Sequence, residues 1–228
     1  MSCNSNFFKF QFAIASALSL ALGAWLLADE PALPGLVRCA NLVYGNGQTS
    51  KCFADHFLAD AQKETNIWPE QRFTSVKLES EELFQFPFAV MSGEASFTLT
   101  EPQVENLRRY LTSGGFLVAS PGCSSPLWAS SFESQIARVL PGVALEELDM
   151  SHPIFHTVYD ITELKTKKPA VKAVLKALIL DGRVVLVYSP DGLNDTGNAG
   201  GSCCCCGGNE VLNARQVNVN LLAYALTH

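Results

Sequence analysis

Residues 86–92 and 116–120 are short, unbroken apolar runs with one amphipathic segment between them, and this spacing constrains the fold more than any other feature. Apolar runs of this length suit strands covered on both faces. Thr100 followed by Gln103 forms a capping box, with Pro102 in the first turn. The helix it opens carries Val104, Leu107, Tyr110 and Leu111 on one face and stops at Gly114-Gly115. Strand, helix and strand in that order require a crossover connection, hence parallel pairing.

The rest of the chain extends the pattern. Strands are expected over 37–44, closed by Gly45-Asn46-Gly47, over 73–78 and over 184–188. Helical spacing covers 53–64, 128–140 and 211–226. The expected architecture is a single three-layer α/β domain over residues 36–228, a mainly parallel sheet flanked by helices. At 228 residues the chain is long enough to bury one substantial core, and neither an internal repeat nor a second domain is evident.

A second apolar feature precedes this domain. Residues 10–28 contain no charge, with Lys9 before them and Asp29 and Glu30 after. Residues 1–30 therefore read as a signal peptide, with Ala21-Leu22-Gly23 as a small-x-small processing site, or as an uncleaved apolar membrane helix. Residues 31–35 form a Pro/Gly linker. The charge order keeps the N-terminus in the cytoplasm and exports the domain, anchored or secreted, to the periplasmic side of the membrane. Of the 16 basic residues only Lys9 lies before residue 29, so the exported part has 15 basic against 22 acidic residues, a net charge of −7. An acidic domain without a basic stripe argues against nucleic acid. Its partner is expected to be a ligand or an envelope protein.

The cysteines carry the sharpest chemical hint. Cys203, Cys204, Cys205 and Cys206 are consecutive, framed by Gly200-Gly201 and Gly207-Gly208. Cys203 and Cys206 have Cys-x-x-Cys spacing, half of a thiolate knuckle for zinc, copper or an iron–sulfur centre. Neighbouring residues of an extended strand face opposite ways, so one ion cannot easily take all four sulfurs. Completion would recruit Cys39, Cys52, Cys123 or a histidine. Export makes disulfides from the run to those same cysteines a direct rival. The exported part holds seven cysteines, so at least one stays free, binds something or pairs between molecules.

Cys123 and Glu94 directly follow expected strands, where an open parallel sheet places its ligands. A cysteine hydrolase would use Cys123 as nucleophile with His152 or His156 as base. Pro121 and Ser125 stand where a glutaminase elbow has glycines, and His152-Pro153-Ile154 lacks the acid of a His-x-Glu pair. The alternative for the histidines is a turn capped at Ser151-His152-Pro153 and a local hydrogen bond at His156. Asp191, Asn194, Asp195 and Asn198 make an Asx-rich loop whose spacing suits turns better than an EF-hand calcium site.

Four stretches together carry a resemblance: Phe86-Pro87-Phe88-Ala89-Val90-Met91-Ser92-Gly93; Leu107-Arg108-Arg109-Tyr110-Leu111 with Gly114-Gly115-Phe116-Leu117; Ser151-His152-Pro153-Ile154-Phe155; and Asn218-Val219-Asn220-Leu221-Leu222. Residues 36–228 resemble the bacterial family called domain of unknown function 4159. The resemblance implies a flavodoxin-like fold related to class I glutamine amidotransferases and implies no known activity. Many relatives carry Gly-His-Gly where this chain has Gly93-Glu94-Ala95, and acidic residues where it has Pro121-Gly122-Cys123. Three functions follow as expectations: a non-catalytic ligand- or partner-binding domain, a hydrolase working through Cys123, and a thiolate metal or thiol-redox protein centred on residues 203–206.

Overall fold

The two apolar runs lie side by side at the centre of a seven-stranded sheet, paired in parallel register from Phe88↔Phe116 to Gly93↔Pro121. The computed structural model describes residues 35–49, 52–166, 172–196 and 210–228. Its strands are β1 (Cys39–Val43), β2 (Thr74–Lys77), β3 (Phe88–Gly93), β4 (Phe116–Pro121), β5 (Glu146–Glu147), β6 (Lys176–Leu180) and β7 (Arg183–Tyr188). They lie in the order β2-β1-β3-β4-β7-β6-β5, and β6 alone runs against the others. All residues of β3 and β4 are buried, as apolar runs on both faces require.

Helices cover both faces. Those described are α1 (His56–Glu64), α2 (Glu101–Thr112), α3 (Pro126–Val139) and α4 (Ala214–Thr227). Successive strand residues point to opposite sides. Phe88, Val90, Phe116 and Val118 pack with Phe57 and Leu58 of α1 and Val217 and Leu221 of α4. Ala89, Met91, Leu117 and Ala119 pack with Leu107 of α2 and Trp128, Phe132 and Ile136 of α3. The chain is thus α/β with a mostly parallel mixed sheet between two helical layers, all within the compact unit Gly35–His228. The capping box of α2 forms as expected, with Thr100 and Gln103 each bonding the other's backbone N–H.

One strand was not expected and one helix boundary needs correction. The strand over 184–188 is half of a β6–β7 hairpin, turned at Asp181 (φ 50°) and Gly182 (φ 79°). Two positive φ values in a two-residue loop are what Asp-Gly favours, so the signal was present in the sequence. The last helix starts at Ala214 instead of residue 211. Val211 is held in a bridge to Thr166, and the side chain of Asn213 bonds Lys165 N and Glu163 O instead of capping the helix. The apolar run 10–28 lies outside the described residues. Among those described, no helix is long and apolar enough to cross a membrane.

Candidate functional site at the carboxyl ends of the strands

Three parallel strands end on a serine one or two residues before the chain turns: Ser92-Gly93 on β3, Ser120-Pro121 on β4 and Ser189-Pro190 after β7. Ser92 pairs with Ser120 in register, and Ala119 with Tyr188, so the three stand abreast. All are fully buried, which a hydroxyl tolerates only when hydrogen-bonded. Their partners lie in the loop after β7. Ser92 Oγ donates to Asn194 Oδ1 (3.2 Å), Ser120 Oγ accepts from Leu193 N (2.7 Å) and Ser189 Oγ accepts from Gly192 N (3.1 Å). Asn194 Nδ2 donates to Pro121 O (3.0 Å), Asn218 Nδ2 of α4 donates to Leu193 O (2.9 Å), and Ala54 N donates to Asn194 O (2.9 Å). The loop 189–194 is clamped across the strand ends, and the Asx residue Asn194 serves as a structural tie.

Cys123 and Glu94 stand at the margin of this clamp and in contact, with Cys123 Sγ 3.7 Å from Glu94 Oε1. The approach depends on the turn between β4 and α3. Cys123 (φ 51°, ψ 29°) and Ser124 (φ 51°) are successive left-handed residues, a conformation rare for side chains with a Cβ. Neighbouring bonds hold it in place. Ser124 Oγ donates to Asp191 O (2.8 Å), Ser125 N donates to Gly122 O (3.0 Å), and Ser125 Oγ donates to Glu94 O (2.5 Å). Ser125 also caps α3 by accepting from Trp128 N. Gly122 permits this closeness: a Cβ there would stand 2.9 Å from Glu94 Cγ and displace that side chain. Cys123 is a free, partly exposed thiol.

The histidines are elsewhere. His152 caps the short turn Pro153–Phe155 by accepting from Ile154 N (3.2 Å). Its ring lies 5.8 Å from that of Tyr224, which packs 6.3 Å from Phe116, the first residue of β4. Cys123 follows the other end of β4, so roughly 16 Å of strand intervenes, five steps of about 3.3 Å. His156 bonds Met150 O through Nε2 (2.8 Å) and Asp160 Oδ1 through Nδ1 (2.5 Å). Two acceptors on one imidazole favour the doubly protonated ring, and the Met150 carbonyl followed by Asp160 raises its pKa. Desolvation, then His228, lowers that of His152. The structure brings Cys123 to Glu94 and does not bring it to either histidine.

The other thiols divide by environment. Cys39, at the amino end of β1, is free and fully buried; desolvation, with Glu70 adding, pushes its pKa up to about 12. Such a thiol is a poor thiolate donor. Cys52 is disulfide-bonded, and its partner is neither Cys39 nor Cys123, which are both free. Cys39 is thus desolvated and Cys52 oxidised, and the expected cluster around residues 203–206 that they were to complete lies outside the described residues. Cys203, Cys204, Cys205, Cys206 and Asn198 lie outside the described residues. Their flanks meet, since Thr196 N donates to Glu210 Oε1 (3.0 Å). Among the described residues no group of three or more His, Cys, Asp and Glu side chains is arranged to hold a metal ion.

Each serine had a local signal, since an otherwise apolar run ends Met91-Ser92-Gly93, Ala119-Ser120-Pro121 or Tyr188-Ser189-Pro190, but their alignment in one row depends on strand register. Asn218 carried no comparable signal, since its role depends on α4 folding back over the loop. No curated protein matches the chain. The family model described as Domain of unknown function (DUF4159) matches residues 38–226, and the chain belongs to that family.

Proposed function

We propose that this protein is an exported, non-catalytic binding domain whose ligand or envelope partner docks on the carboxyl-end face of the sheet, around Glu94 and Cys123. The observation that carries this reading is the separation of chemistry across the sheet. The reactive-type thiol has a carboxylate beside it, whereas His152 and His156 are engaged at the opposite end. A cysteine nucleophile is ordinarily paired with a histidine, and here its hydrogen-bond neighbour is a carboxylate instead. Ligands of open parallel sheets bind beyond the carboxyl ends of the strands, which is where this pair stands. Export is supported by the charge order around residues 10–28 and by the disulfide at Cys52, a bond that persists in oxidising compartments. Kinship with glutamine amidotransferases is supported by the parallel sheet and by the strand–turn–helix that presents Cys123.

Incubating the full chain and Cys123→Ala with glutamine, ester and peptide substrates tests the reading. Equal, background turnover by both is expected. Turnover by the native chain that disappears in Cys123→Ala would establish the hydrolase instead.

A further inference from the structure

The sheet changes direction between β1 and β3. From β1 the chain crosses through α1 to β2 on one side; from β3 it crosses through α2 to β4 on the other. α1 and α2 cover opposite faces, so the loops leaving β1 and β3 diverge and leave a crevice at their carboxyl ends. A cleft of about 590 Å³ occupies that position, lined by Asn46 and Gln48 after β1, Ser96, Thr98 and Thr100 after β3, and Ser131 of α3. It is within the size range of small-molecule sites, about 300–1,000 Å³.

Its walls are built. Tyr44 and Gln48 exchange backbone hydrogen bonds (3.0 and 2.8 Å), and Gln48 Nε2 donates to Ser96 O (3.1 Å), joining the two loops. Gln103 Oε1 accepts from both Gly45 N (3.1 Å) and Thr100 N (3.2 Å). Ser131 Oγ accepts from Phe97 N (3.2 Å), and the Phe97 ring packs edge-on to Tyr44 at 4.8 Å. Phe97 and Leu99 also line it, but both are almost fully buried, the Phe97 ring packing between Tyr44 and Trp128. The side chains of Asn46, Ser96 and Thr98 are exposed and make no hydrogen bond among the described residues. None of the lining side chains is charged.

We propose that this cleft is a binding site for a neutral, hydroxyl-rich ligand of the saccharide class. Uncharged amide and hydroxyl side chains, three of them exposed and without a hydrogen bond among the described residues, match the hydroxyls of a sugar ring. A charged ligand would lose hydration there without gaining an opposite charge. The inference goes beyond the reading around Glu94 and Cys123 and assigns a second site, with a ligand class, at the same end of the sheet. It does not involve Cys123, so the turnover assay and the test below fail independently.

The test titrates the full chain with glucose, N-acetylglucosamine, maltose and cellobiose, with glucuronate and glucosamine as charged counterparts, read by calorimetry. At least one neutral sugar should bind saturably and with little dependence on salt. Asn46→Ala and Thr98→Val should each weaken it about five- to tenfold, the effect of one uncharged hydrogen bond. Both residues are exposed, and unchanged melting curves would show that the variants fold. Glu64→Gln, at the exposed end of α1 and outside any proposed site, should bind as the native chain does. Absence of binding by all four neutral sugars, binding indifferent to both cleft variants, or equal binding of a charged counterpart would each overturn the proposal.

Discussion

The two ends of the sheet are closed by different physics. At the amino end, aromatic rings do the work. Phe88 and Phe116 stack at 5.9 Å, Phe57 lies 6.1 Å from Phe88, and Tyr110 donates to the carbonyls of Phe86 (2.8 Å) and Phe116 (3.2 Å). At the carboxyl end rings pack as well, Tyr44, Phe97, Trp128 and Phe132 in succession, but there they are joined by buried polar groups, Ser92, Ser120, Ser189, Asn194 and Asn218, tied to backbone and to one another. Apolar packing is non-directional and tolerates no water. A hydrogen-bonded clamp is directional and can hold loops, a left-handed cysteine and a carboxylate in set positions. The comparison teaches that apolar packing stabilises both ends, while the polar clamp found at one end alone is what presents chemistry.

The largest test of that contrast is Phe116→Ala, which opens a cavity between the Phe88 and Tyr224 rings. It should cost about 3–5 kcal/mol in urea unfolding, while Glu94→Gln at the other end should stay within about 0.5 kcal/mol. Comparable losses would erase the distinction. Gly93→Ala comes next, because a Cβ there would meet Tyr44 Oη at 2.5 Å and Trp128 Nε1 at 2.8 Å, both held in one buried chain ending on Ser92 O. Overpacking of this kind should cost about 1–3 kcal/mol, read as a lowered urea midpoint. A similar loss of about 1–3 kcal/mol is expected for Ser120→Ala, which strands the buried Leu193 N–H. An unchanged midpoint would mean that the clamp is ornamental.

Thiol chemistry sharpens the comparison without unfolding anything. Native alkylation followed by peptide mapping should label Cys123 and spare Cys39, whose labelling should require denaturant. Equal native labelling of the two would contradict their different burial. The smallest effect concerns pH. His156 has a raised pKa in the folded chain, so its contribution is complete below its unfolded value near 6.5 and fades as pH rises through the folded one. His152, lowered by desolvation, acts with the opposite sign, its contribution fading as pH falls. The stability gap between the native chain and His156→Gln should therefore narrow on going from pH 5.5 to pH 8. A gap that widens would reverse the assignment.

Much of the fold could be read before any coordinates. The runs around Val90 and Val118 declared central parallel strands because no polar residue interrupts them, and Thr100 with Gln103 declared a helix start. The β6–β7 hairpin was missed although Asp181-Gly182 marks its turn, because the strand before it alternates too weakly to stand alone. Local signals of this kind depend on residues a few positions apart. The site was legible only in part: a position after a strand marks Glu94 and Cys123, but says nothing about which partner each will meet.

By itself, then, the sequence determined the strand–helix alternation, the burial of β3 and β4, the acidic charge and the family. The tertiary structure alone decided that Cys123 meets Glu94 and that His152 and His156 lie at the far end of β4. It also decided that three serines distant in sequence form one row. The physical reason is register: contacts between residues tens of positions apart are set by how strands align and which face each helix covers, and no local pattern carries that information.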